Sequence, residues 1–124
     1  MKKRILVIDD EELIIRSLAK LLEKNGFEVF VAKNGQDALI MAEEKEFDLI
    51  ISDVRMPGMN GVEAVRGIYE VLKRREGKIP PGIFITGYAD KESEQAVARL
   101  NPIAYIYKPF DIVELVQKVK GVFK

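Results

Sequence analysis

Five short apolar runs, Ile5 to Ile8, Val29 to Ala32, Leu49 to Ser52, Gly82 to Thr86 and Ile103 to Tyr107, punctuate the chain, and each gap between them carries helical spacing. Strands alternating with helices are covered on both faces, so they read as continuous apolar runs and not as strict apolar/polar alternation. The pattern predicts an α/β fold of βα units, a five-stranded parallel sheet with helices on both faces. With 124 residues there is room for one such domain, 1–124, and for no second core.

The gaps have helix starts and stops of their own. Ile14, Leu18, Leu21 and Leu22 form an apolar stripe, and Asn25-Gly26 supplies a left-handed stop. Asn34 can cap a second helix carrying Ala38, Leu39 and Ala42, while Asn60 and Gly61 open a third with Val62, Val65, Ile68 and Leu72. A fourth is predicted from about Asp90 to Leu100, and Asp111 caps a fifth with Ile112, Leu115, Val116 and Val119 along one side. Leu13, Ile14 and Ile15 are consecutive, and at ~100° per residue they sweep ~200°, too wide for one buried stripe. Leu13 lies furthest from the stripe and is expected at the surface.

Composition narrows the chemistry. The absence of Cys and His excludes disulfides, Cys/His zinc sites, thiol nucleophiles, Ser-His-Asp triads and imidazole bases. Carboxylates, hydroxyls, Lys and Arg remain. Twenty Lys and Arg cancel twenty Asp and Glu, so direct nucleic-acid binding or attraction to an anionic membrane is not expected. The four apolar residues that follow Arg4 are too few for a secretory signal, and no run approaches the ~18 residues of a membrane span; the cytoplasm is the expected location.

In open parallel sheets ligands bind beyond the carboxyl ends of the strands. The first run ends in Asp9-Asp10-Glu11-Glu12, the third in Asp53, the fourth in Thr86-Gly87 and the fifth in Lys108-Pro109. Taken singly, each has a plainer role: an acidic first helical turn, a turn former before Met56-Pro57-Gly58, local turn chemistry, a solvated lysine. Together at one rim they form an asymmetric site. Asp9, Asp10 and Asp53 repel one another unless a cation lies between them, and a hard divalent ion such as Mg2+ suits oxygen ligands. Lys108 can pair with a phosphate and Thr86 can donate to it. Asp53 can then act as a nucleophile that accepts a phosphoryl group as an acyl phosphate.

Val7-Ile8-Asp9-Asp10-Glu11, Ser52-Asp53-Val54-Arg55-Met56-Pro57-Gly58-Met59-Asn60-Gly61, Ile85-Thr86-Gly87 and Tyr107-Lys108-Pro109-Phe110 resemble, in order and over essentially the whole chain, the signatures of response-regulator receiver domains. These are the phosphoacceptor modules of two-component signalling. The resemblance implies a flavodoxin-like, doubly wound sheet of order 2-1-3-4-5. It implies Asp53 as the phosphorylated residue, Mg2+ held by Asp10, Asp53 and the backbone carbonyl of Arg55 with Asp9 acting through water, and Thr86 and Lys108 on the phosphoryl oxygens. Tyr105 matches the switch aromatic, and a cis Lys108-Pro109 bond is expected.

Partners follow from the same resemblance. A sensor histidine kinase or histidine phosphotransfer protein would dock at Leu13 and Ile14, and the face of the fourth helix, fifth strand and fifth helix would act on a downstream protein target or a fused output domain. That face can also support a phosphorylation-dependent homodimer, although Asn101-Pro102-Ile103-Ala104 departs from the acidic turn common there and acidic dimer residues are missing. Arg55 and Tyr88 occupy the positions that flank the water path to the acyl phosphate. Both are bulky, so slow self-dephosphorylation is expected. The alternative, a Mg-dependent phosphatase with an aspartyl nucleophile, calls for an acid two residues after Asp53, where this chain has Arg55.

Overall fold

The computed structural model describes residues 2–56, 58–88 and 90–124. Along the chain run β1 (Arg4–Ile8), α1 (Glu12–Lys24), β2 (Glu28–Ala32), α2 (Gly35–Glu44), β3 (Leu49–Asp53), α3 (Gly61–Arg74), β4 (Gly82–Thr86), α4 (Lys91–Ala98), β5 (Ala104–Tyr107) and α5 (Ile112–Val122). The strands form one sheet of order β2-β1-β3-β4-β5, every pairing parallel. All five carboxyl ends therefore open on the same rim.

Residue parity decides which side of the sheet each apolar side chain serves, because successive strand side chains point to opposite faces. Ile5 and Val7 of β1, Leu49 and Ile51 of β3, and Ile83 and Ile85 of β4 pack with Leu18 and Leu22 of α1 and Leu115, Val116 and Val119 of α5. Leu6, Ile8, Ile50 and Phe84 pack on the other side with Ala38 and Ala42 of α2, Val65, Ile68 and Leu72 of α3, and Val97 of α4. The three central strands are buried almost throughout, while β2 and β5 are half-buried edges.

Local signals set the element ends. Asn34, Asn60, Asp90 and Asp111 each accept hydrogen bonds from first-turn backbone N–H groups, and Asn60 and Glu63 complete a capping box. Gly26, at φ +91°, takes the left-handed conformation after α1. Beyond one-residue extensions of β1 to Arg4, β2 to Glu28 and β3 to Asp53, three details differ from the sequence expectation. The buried side of α1 centres on Ile15, Leu18 and Leu22, with Ile14 and Leu21 on its flank, because helix rotation follows the docking against both sheet and α5. α4 ends at Ala98, and Arg99 and Leu100 continue as a turn. β5 begins at Ala104, since Ile103 N–H is already tied to Gly82 O at 2.8 Å ahead of the ladder. No helix among the described residues is long and apolar enough to cross a membrane.

At the amino end of the sheet Asp48 accepts from Arg4 N–H at 2.8 Å and from Lys78 Nζ at 2.9 Å. Burial pushes this carboxyl up, but the Arg4 amide and the Lys78 ammonium outweigh it and hold the group below its ordinary value. Asp48→Asn should cost about 1–3 kcal/mol at neutral pH. A depressed folded-state pKa stabilises above the unfolded value and is lost as pH falls through the folded one. The gap between wild type and variant in urea unfolding should therefore close as pH drops below the ordinary carboxylate range; a gap independent of pH would count against the ionised role.

Candidate functional site

The parallel register builds the site. β1 pairs with β3 so that Ile8 stands opposite Ser52, which sets Asp9, the next residue, beside Asp53. β3 pairs with β4 with Asp53 opposite Ile85, so Thr86 ends β4 one step further along. Lys108 follows β5, and its N–H donates to Thr86 O at 2.8 Å. The Lys108-Pro109 peptide bond is cis.

Carboxylate oxygens of Asp9, Asp10 and Asp53 all lie within 4.8 Å of one another. Asp9 is 1% exposed and Asp53 4%, whereas Asp10 faces solvent. Lys108 Nζ donates to Asp53 Oδ2 at 3.1 Å and to Glu11 Oε1, and stands 3.6 Å from Asp9 Oδ2. Backbone donors fix the other carboxylate oxygens: Glu11 N–H to Asp9 Oδ1 at 2.9 Å and Arg55 N–H to Asp53 Oδ1 at 3.2 Å.

Electrostatics here are unfavourable for the bare carboxylates. Burial, reinforced by the charges of Asp53 and Glu11, pushes Asp9 up to about 6 against the Glu11 amide and Lys108. Burial first, and the charge of Asp10, also raise Asp53. Burial alone would lower Lys108, but Glu11, Asp9 and Asp53 outweigh it and hold the ammonium charged. Three converging hard oxygen donors, two of them desolvated, fit a divalent cation of the magnesium class, and a carboxylate beside a cation and an ammonium can receive a phosphoryl group.

Thr86 is fully buried, and its hydroxyl closes its own turn: it donates to Tyr88 O at 3.1 Å and accepts from Tyr88 N–H at 3.0 Å. It is therefore next to the carboxylates without hydrogen-bonding to them. Tyr105 packs edge-to-face on Tyr107, with centroids 5.3 Å apart. Its buried hydroxyl finds no hydrogen-bond partner among the described residues. Leu13 is 80% exposed at the start of α1, and Ile14 is half-buried beside it. Ile14, but not Leu13, lines a cleft of about 370 Å³ together with Glu11, Lys108, Pro109, Phe110 and Ile112.

Two features escape sequence reading. The Arg55 guanidinium stacks 4.4 Å from the Tyr88 ring centroid and pairs with Asp90 at 3.1 Å, bridging the loops after β3 and β4. Tyr107 donates its hydroxyl to Glu94 of α4, which pushes the phenol up to about 12. Both join residues far apart in the chain, and no local spacing announces them. Glu11 was visible only as one member of an acidic run.

Gly61 explains how α3 can start against the end of β3: a Cβ there would fall 1.8 Å from Asp53 O and 2.7 Å from Ser52 Oγ. Gly61→Ala should destabilise by about 3 kcal/mol, the upper range for forcing atoms into packed space, read as a lowered urea midpoint. An unchanged midpoint would mean that the loop yields freely.

A family model for the response regulator receiver domain matches residues 5–120. The chain is similar to a solved CheY-like response regulator receiver domain protein from Methanospirillum hungatei JF-1, with TM-score 0.85, 33% identity, and 98% and 94% of the two chains covered. It is 33% identical to the transcriptional regulatory protein CrdR of Helicobacter pylori over 99% of this chain and 56% of that protein. It is 29% identical to the polar-differentiation response regulator DivK of Brucella anthropi over 98% of this chain and 96% of that protein. The chain thus spans about half the length, or less, of curated relatives such as CrdR and the Escherichia coli regulatory protein AtoC, and nearly all of DivK.

Proposed function

The chain belongs to the response regulator receiver domain family, and on that footing we propose that residues 1–124 form one cytoplasmic phosphoacceptor domain that takes a phosphoryl group onto Asp53 from the phosphohistidine of a sensor kinase or phosphotransfer protein. The observation that carries the reading is the Asp53 carboxylate, 4% exposed, with Lys108 Nζ 3.1 Å away and oxygens of two acidic neighbours within 4.8 Å. In the transfer a carboxylate oxygen of Asp53 attacks phosphorus, the P–N bond breaks, and the imidazole leaves with the electron pair. Asp10, Asp53 and the Arg55 carbonyl would hold Mg2+, with Asp9 acting through water. The bound ion supplies charge neutralisation of the phosphoryl oxygens. Lys108 neutralises them from the opposite side.

Thr86 would then release Tyr88 and turn its hydroxyl to the phosphoryl group, and Tyr105 would move into the space beside it. This shifts a two-state equilibrium of the α4-β5-α5 face, already joined across β5 and α4 by Tyr107 and Glu94. That face would meet a downstream protein or a fused output domain, or a second copy on phosphorylation; no direct contact with nucleic acid or membrane is proposed. Leu13, Ile14 and the adjoining cleft would receive the kinase or phosphotransfer protein. The phosphatase reading is not favoured, because Arg55 stands where a general acid is needed and is engaged by Tyr88 and Asp90.

Incubation with acetyl phosphate and magnesium should add one phosphoryl mass to the intact wild type and none to Asp53→Ala, and chelation should abolish the gain. Multiple turnovers of an outside phosphoester would favour the phosphatase instead.

The two residues expected to flank the path of the hydrolysing water, Arg55 and Tyr88, stack on one another, which supports slow self-dephosphorylation. Replacing both residues by Ala should shorten the acyl phosphate lifetime about tenfold, equivalent to lowering the hydrolysis barrier by about 1.4 kcal/mol. A lifetime equal to wild type, followed by intact mass after donor removal, would reject the shielding role.

A further inference from the structure

Four helices begin with a side chain that accepts from the first turn, at Asn34, Asn60, Asp90 and Asp111. α1 is different. Its N-cap residue is Glu11, which makes no side-chain cap bond, and glutamate is not among the residues that favour this position. The carboxylate reaches instead across the rim to Lys108 Nζ, while the Glu11 main chain is pinned by its N–H to Asp9 Oδ1 at 2.9 Å.

Lys108 is thus shared among three carboxylates. The side chains of Asp9 and Asp53 are 2% and 5% exposed, and that of Glu11 is 54% exposed, so Glu11 is the partner that water or an incoming anion can replace. We infer that Glu11 is the resident counter-anion of Lys108, which a phosphoryl group has to displace, and that its charge discriminates against dianionic phosphoryl donors. The inference rests on the reading of Asp53 as phosphoacceptor and extends it to a positioning residue outside the metal and phosphoryl set. Glu11 acts through Lys108 and never touches the reacting atoms.

Two small donors separate the charge effect from simple packing. Acetyl phosphate is a dianion at neutral pH: Asp53 oxygen attacks phosphorus, the P–O bond breaks, and acetate leaves with the electron pair. Phosphoramidate carries a single net negative charge: the P–N bond breaks and ammonia leaves. Neither transfer requires a further proton. Glu11→Gln keeps the side-chain length and an amide oxygen for Lys108 and removes only the charge.

At low ionic strength the second-order rate constant for modification, followed by intact mass with magnesium, should rise about fivefold for acetyl phosphate and about twofold for phosphoramidate, the scale of one charge acting across a partly solvated cleft. The gain should shrink in high salt. Rates unchanged or lowered for both donors, or raised equally for both, would overturn the inference. A wild type that neither donor modifies would instead sink the assignment of Asp53, whereas a modified wild type with an indifferent Glu11→Gln sinks the role of Glu11 alone.

Discussion

Like charges held side by side at the carboxyl rim are the constraint around which the rest of the molecule is arranged. The β1-β3 register leaves Asp9 and Asp53 no choice of neighbour, and burial on both faces withholds the water that would otherwise screen them. Asp9 responds by rising to about 6. Positive charge must come from somewhere, and Lys108 supplies one unit from the far edge of the sheet, its ammonium meeting Asp53, Asp9 and Glu11. A divalent cation would supply the rest, and the same positive charges would then face the oxygens of an incoming phosphoryl group, which is why this electrostatic tension and the receiver chemistry proposed for the chain fit one another.

The same rim is tied to the surface that would signal. Thr86 closes a turn on Tyr88, Tyr88 stacks on Arg55, and Arg55 pairs with Asp90, which caps α4. From α4, Glu94 accepts from Tyr107 of β5. The Thr86 hydroxyl is satisfied locally, so any move of Thr86 toward Asp53 has to break its bonds to Tyr88, a residue linked through Arg55 and Asp90 to the start of α4. In the proposed switch this supplies the two competing sets of bonds that a two-state element needs. Close approach constrains the same rim: Gly61 lets the third helix begin against the Asp53 carbonyl, and a larger residue would push the end of β3.

Much of this was legible in the chain. Caps at Asn34, Asn60 and Asp111 are local bonds between residues two or three apart, and they lie where the sequence places them, while Asp90, expected as the start of the fourth helix, caps it from one residue before. The acidic and basic residues gather because each follows a strand, and parallel strands share one carboxyl end. Ile15 in place of Ile14 at the centre of the first helix's buried side was not legible: both fit helical spacing, and only packing against α5 and the sheet chooses between them.

Near neighbours along the chain settle strand and helix alternation, residue parity in the central strands, the helix starts, and the roster of reactive groups at the strand ends. Which of those groups pair is settled by the packing of the whole sheet. Lys108 lies 97 residues from Glu11 and 55 from Asp53, and Arg55 lies 35 from Asp90. Charges and rings at such separations meet through strand order and loop course, and those are properties of the whole packed sheet with no counterpart in local spacing.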